Sequence, residues 1–153
     1  MTKNDFSKIL VCVDGSKYSD LALSKAISLS EKYNSKLFLV NVIDEHLIDF
    51  WNETEYAVGT KRPQTHLKKD SKIMLETEKM LKRYSKKIPQ TIDYSEKILV
   101  GDISNEIVNY ANKTKIDLII VGVRGLGKFK KLLLGSISSK ISDYSSCSVL
   151  IIK

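Results

Sequence analysis

Five short runs of Val, Ile and Leu, at residues 9–13, 37–43, 98–100, 118–121 and 149–152, alternate with stretches whose apolar residues recur at helical spacing. Runs this short that lack strict in–out alternation read as parallel strands covered on both faces. The third run extends back toward Ile92. Ala22, Ala26, Leu29 and Tyr33 form one helical stripe, Met74, Leu81, Tyr84 and Ile88 a second, and Ile103, Ile107, Tyr110 and Ala111 a third. A shorter helix is expected from Ser136 to Tyr144, with Ile137 and Ile141 on its buried side. Strand–helix alternation of this kind predicts an α/β fold: an open, doubly wound, five-stranded parallel sheet in the order 3-2-1-4-5.

The 153 residues fit one domain, 1–153, large enough to bury a core without disulfides or metals. Hydrophobic residues at 42% and charged residues at 28% exclude a disordered chain. No apolar run approaches bilayer length, and the first residues carry Asp5 without an apolar stretch, so the expectation is a cytoplasmic protein with no membrane partner. Cys12 and Cys147 lie in or beside apolar runs without metal-type spacing and read as unpaired core thiols.

The net charge of +7 is local. Residues 61–87 hold ten of the 25 Lys and Arg residues against Asp70, Glu76 and Glu78, and the remaining charges cancel. A basic helix over 67–88 suits an acidic partner or nucleic acid, a solvated face being the plainer reading. The connection that contains it is longer than one crossover requires, so residues 44–66, with Trp51, read as a surface excursion, a lid or partner contact or an ordinary loop.

Ligands of open parallel sheets bind beyond the carboxyl ends of the strands, where the strand order reverses. There the first run ends in Val13-Asp14-Gly15-Ser16, the second in Val42-Ile43-Asp44, the third in Gly101 and the fourth in Gly122. Asp14 suits a turn or helix cap, and equally a carboxylate that accepts hydrogen bonds from ribose hydroxyls or an adenine amine. Ser16 fits a helix N-cap. Gly122, Gly125, Gly127 and Gly135 punctuate the next segment, and Gly135-Ser136 opens a helix whose N–H groups favour phosphate. Arg124, Lys128, Lys130 and Lys131 add positive charge.

Other chemistries lack their residues. The sequence has no P-loop, no G-x-G-x-x-G after the first strand, and no Ser-Gly-Gly-x-Asp-Ser loop of pyrophosphate-releasing enzymes. A receiver domain's acidic pair is missing too. His46 and His66 have no metal-ligand spacing, and no Ser-His-Asp or Cys-His set is evident, so neither a catalytic residue nor a protein-only metal site is expected.

The segment Gly122 to Ser136, read as G-x-x-G-x9-G-[ST], resembles the ATP-binding signature of the universal stress protein family. The resemblance extends to Ile9-Leu10-Val11-Cys12-Val13-Asp14-Gly15-Ser16, to Val42, to Gly101 and to the closing 149–152. It implies a Rossmann-like adenine-nucleotide-binding fold, the ATP-binding branch of the family, and Mg or Mn held on the phosphates. Asp14 would hold ribose or adenine, the Val42 backbone would meet the adenine edge, and Gly122, Arg124, Gly125, Gly135, Ser136 and Ile137 would line the phosphates. Val13, Ser16, Gly101, Val123 and Ser138 complete the candidate nucleotide-binding set. Pairing of the last strand, Val149 to Ile152, across a homodimer axis is implied as well. One departure is Cys147-Ser148-Val149, where the family often carries a proline. The resulting expectation is a stress-response regulator that binds ATP and acts as a nucleotide-dependent switch for an unknown protein partner. A slow, divalent-ion-dependent ATPase with Arg124 stabilising charge, or nucleic-acid binding by the basic helix, stands as the alternative.

Overall fold

The computed structural model describes residues 5–48, 71–125 and 134–153. Expectations resting on 49–70, including Trp51, His66 and the start of the basic helix, and on Gly127, Lys128, Lys130 and Lys131, lie outside the described residues. Five strands form one sheet: β1 (Lys8–Cys12), β2 (Lys36–Asp44), β3 (Tyr94–Gly101), β4 (Leu118–Gly122) and β5 (Ser148–Ile152). Every neighbouring pair is parallel and the order is β3-β2-β1-β4-β5, as the alternation predicts.

Helices with both ends among the described residues are α1 (Lys17–Tyr33), α2 (Lys72–Ser85), α3 (Ile103–Thr114) and α4 (Ser136–Tyr144), and residues 45–48 are helical as well. Side chains of Ser16, Ser71 and Asp102 accept N–H bonds at the starts of α1, α2 and α3. These satisfy part of the orphan donors of each first turn. Helix α4 begins at Gly135 with no side-chain cap. At the far ends, Asn34 (φ 51°) and Lys115 (φ 58°) turn the chain out of α1 and α3 in the left-handed conformation.

Alternation along the central strands divides the core between the two faces. Ile9, Val11, Val13, Leu37 and Leu39 pack with Ala22, Leu23 and Ala26 of α1 and Leu81 and Tyr84 of α2. Leu10, Val40, Ile119 and Val121 pack on the other face with Ile107 and Ala111 of α3 and Ile141 of α4. Leu10, Ile107 and Ile119 are wholly buried, so truncating any of them to Ala costs about 2–5 kcal/mol.

Helix α4 corrects one expectation. Ile141 is buried, but Ile137 is 37% exposed and Ser138 takes the inward position instead. With the N-cap at Gly135, residues 138 and 141 stand one helical step of three apart on the sheet side, which turns Ile137 outward.

Candidate functional site

Strand order reverses between β1 and β4, so the loops that follow them meet at the carboxyl end of the sheet. The loop after β1 is held by its own backbone and by the neighbouring strand. The Val13 N–H donates to the Val40 carbonyl (2.9 Å), and the buried Asn41 amide donates to the Val13 carbonyl (2.8 Å). Asp14 follows. Its N–H donates to the Ser19 hydroxyl oxygen (2.9 Å), while its Oδ1 accepts from the Ser19 hydroxyl (2.6 Å) and the Ser16 N–H (3.0 Å). Ser16 caps α1, accepting from the Ser19 N–H at 3.2 Å. Gly15 adopts φ +89°, which opens the turn at no steric cost.

The glycine segment closes against this turn. A Cβ on Gly125 would run into Asp14 Oδ2, and one on Gly122 would lie 2.6 Å from the Tyr18 Cβ. At the far end of the segment, a Cβ on Gly135 would lie 2.7 Å from the Val123 carbonyl oxygen. Side chains at Gly125 and Gly135 would therefore strike the protein itself before any ligand. Val123 ties the segment together. Its carbonyl accepts from the Gly135 N–H (2.9 Å) and the buried Ser138 hydroxyl (3.1 Å), and its N–H donates to the Ile152 carbonyl (2.7 Å). Ser138 also donates to the Gly135 carbonyl at 3.0 Å. Ser136 and Ile137 are exposed in the first turn of α4, and Arg124 is half-buried beside Gly125.

Val42 sits two residues beyond the Val40 carbonyl that bonds to Val13. Polar main-chain groups alternate sides along a strand, so those of Val42 also point toward β1, past its last residue Cys12. Its side chain is buried. Gly101 does not join this group. It ends β3 opposite Asp44, two strands from β1 and thus about 10 Å away. Its φ of +149° and a would-be Cβ 2.8 Å from Glu106 Cγ account for the glycine by local geometry.

Three residues of this architecture escaped sequence reasoning. Asn41 was visible as the one polar residue inside the apolar run Leu-Phe-Leu-Val-Asn-Val-Ile. Ser19 reads as an ordinary helix residue. Tyr84 reads as core, yet its phenol faces the Asp14 turn: burial, then the charges of Asp20 and Asp14, raise its pKa, against hydrogen bonds from Ser19 and the Gly15 backbone. The Cys12 thiol is pushed up to about 12 by burial and then by the Asp14 charge, which makes it a poor nucleophile. Among the described residues no group of three or more His, Cys, Asp or Glu side chains is placed to hold a metal ion. A groove of about 590 Å³ lies at the opposite end of the sheet, between the end of α1 and residues 91–93, and shares nothing with this site.

The model of the universal stress protein family matches residues 5–153. The universal stress protein YxiE of Bacillus subtilis (strain 168) is 31% identical over 151 residues, covering 97% of this chain and 99% of the relative. Among solved structures, that of the protein MJ0577 aligns with a TM-score of 0.79 at 26% identity, over 97% of this chain and 96% of its own. A universal stress protein in complex with cAMP aligns with a TM-score of 0.69 at 21% identity, over 97% and 98% of the two chains.

Proposed function

The chain belongs to the universal stress protein family, and from that premise we propose that it binds ATP in the cleft between Asp14 and the glycine segment and acts as a nucleotide-dependent switch for a protein partner. The observation that carries this reading is the direct apposition of the Asp14 carboxylate and Gly125, on the same segment that ends in the uncapped start of α4. One end of the cleft offers a carboxylate acceptor for ribose hydroxyls, and the other offers first-turn N–H groups at the positive pole of a helix. The main chain of Val42 supplies a donor and an acceptor suited to an adenine edge. Arg124 adds charge beside the phosphates. The cAMP complex of a family member of like fold is in keeping with an adenine nucleotide here.

The residues present fit a nucleotide better than a protein-held metal. Mg or Mn would be carried on the phosphate oxygens, where it neutralises their charge. The chain's own contribution is to hold the anion: backbone donors at residues 136–138, the close approach allowed by Gly125, and a turn fixed by Ser16 and Ser19. No described side chain stands out as a general base, so turnover is not part of the reading. The switch follows from Val123, whose carbonyl holds the start of α4 and whose N–H holds the end of β5. A change at the phosphate end of the segment is thereby passed to β5. We also read residues 1–153 as one cytoplasmic domain that forms a homodimer along Val149 to Ile152.

Mass spectrometry of small molecules released from freshly purified protein tests the reading. Recovery of ATP or another adenine nucleotide in near-stoichiometric amount is expected. Protein that carries none, and takes up none when supplied with ATP and Mg, would remove it.

A further inference from the structure

Helix α2 turns one side to the sheet and the other to solvent, and the two carry different chemistry. Leu81 and Tyr84 are buried in the core. On the opposite side Lys79, Lys82, Arg83 and Lys86 are exposed. With 3.6 residues per turn and a rise of 1.5 Å per residue, these four occupy an arc of about 100° and about 10 Å of helix length.

Ion pairing separates the four from the other cations nearby. Lys72 pairs with Glu76 at 4.0 Å and Lys87 with Asp20 at 2.8 Å. Lys79, Lys82, Arg83 and Lys86 have no ion pair among the described residues, although Glu78 stands one turn before Lys82. Their spacing works against the helix. Lys79 and Arg83, and Lys82 and Lys86, are like-charged pairs at i,i+4, each mildly unfavourable. The negative pole of the helix favours the cations of its last turn, Lys82 and Arg83, but Lys79 lies before it.

The kind of partner follows from what the face lacks. Among the exposed large apolar residues only Leu75 lies on α2, one turn before the first of the four cations. Protein partners are anchored by aromatic and apolar side chains that become buried, and this face offers little of either. A bilayer-bound helix sinks its apolar side, which here is already packed in the core. Unstacked bases need an exposed aromatic platform, and α2 has none. Closely spaced phosphates need only the cations, and a nucleic-acid duplex carries one phosphate for about every 1.7 Å of its axis.

We propose that the outer face of α2 binds the phosphate backbone of double-stranded nucleic acid, without base readout, through Lys79, Lys82, Arg83 and Lys86. The proposal stands apart from the nucleotide reading, since none of the four is assigned to the nucleotide. Neutralising about four phosphates releases their counterions, so log affinity should fall against log salt with a slope of about −3 to −4, a roughly hundredfold loss between about 50 and 200 mM salt.

The test is fluorescence anisotropy of labelled duplex DNA and duplex RNA of mixed sequence, titrated with the full chain across that salt range. A face variant combining Lys79→Gln, Lys82→Gln, Arg83→Gln and Lys86→Gln keeps good helix formers at exposed positions. A control combining Lys25→Gln, Lys32→Gln, Lys113→Gln and Lys140→Gln removes the same charge from exposed positions on α1, α3 and α4. The unmodified protein and the control should bind at least one of the duplexes, whatever its sequence, with the steep slope. The face variant should lose roughly tenfold or more in affinity at the lowest salt, its slope should flatten by about three to four, and each single substitution should flatten it by about one. Equal losses in the two variants would reduce the effect to net charge and overturn the proposal. So would an unweakened face variant, or unmodified protein that binds neither duplex at low salt. Capture of poly-glutamate or of phosphatidylglycerol vesicles in place of the duplexes would also overturn it, and would assign the face to an acidic protein or a membrane.

Discussion

Asp14 commits Oδ1 to the Ser16 amide and the Ser19 hydroxyl, while Oδ2 lies against Gly125, so its turn-forming role is compatible with the ligand-facing role proposed for the same side chain. Residues around it make separate predictions. Cys12 has its pKa raised from 9.0 to about 12, so the unfolded chain ionises there first. Its contribution is complete below pH 9 and is lost as pH rises toward 12. The denaturation midpoint of the unmodified protein should therefore fall more steeply across that window than that of Cys12→Ala; parallel pH profiles would contradict this. Gly101 is held at φ +149°, so Gly101→Ala should cost about 1–2 kcal/mol in urea unfolding, with nucleotide affinity preserved. At this scale Asp14 and the glycines were legible because spacing after apolar runs is a local signal. Tyr84 was not, because its place beside the Asp14 turn is created by packing between α1 and a helix more than sixty positions along the chain.

Elements were legible where both their faces are buried, and less so where one is not. Strand β3 begins at Tyr94, within the expected extension back toward Ile92, but its apolar signal is confined to 98–100 because it is an edge strand whose early residues Glu96 and Lys97 face solvent. The phase of α4 was misread at Ile137 because its N-cap is a glycine, which leaves no side-chain signal for where the helix starts. Strand β2 carries its own prediction. Asn41 is 7% exposed and donates to the Val13 carbonyl, so Asn41→Leu leaves that acceptor without its partner. A loss of about 1–3 kcal/mol in chemical denaturation is expected, together with weakened nucleotide binding as the Asp14 turn loosens. Unchanged stability would show that the Asn41 contact does not hold the turn.

The two edges of the sheet differ in a way that bears on assembly. Exposed charges on β3 discourage pairing with another chain, whereas β5 presents Ser-Val-Leu-Ile-Ile, with Val149, Leu150, Ile151 and Ile152 each only half-buried. A second copy of the chain along β5 would cover them, so sedimentation at tens of micromolar should give twice the 17.3 kDa chain mass, and a 17.3 kDa species would contradict the dimer. The central claim is that Asp14 and the glycine segment together hold an adenine nucleotide. Its most direct test is calorimetric titration of nucleotide-free protein with ATP and Mg, beside Asp14→Asn, which preserves an oxygen for the Ser16 and Ser19 bonds but removes the charge. Saturable one-to-one binding, weakened roughly tenfold to hundredfold in Asp14→Asn at unchanged melting temperature, is the predicted result. Equal affinity in the two proteins would show that the nucleotide does not meet Asp14, and no binding in either would show that the cleft is not a nucleotide site.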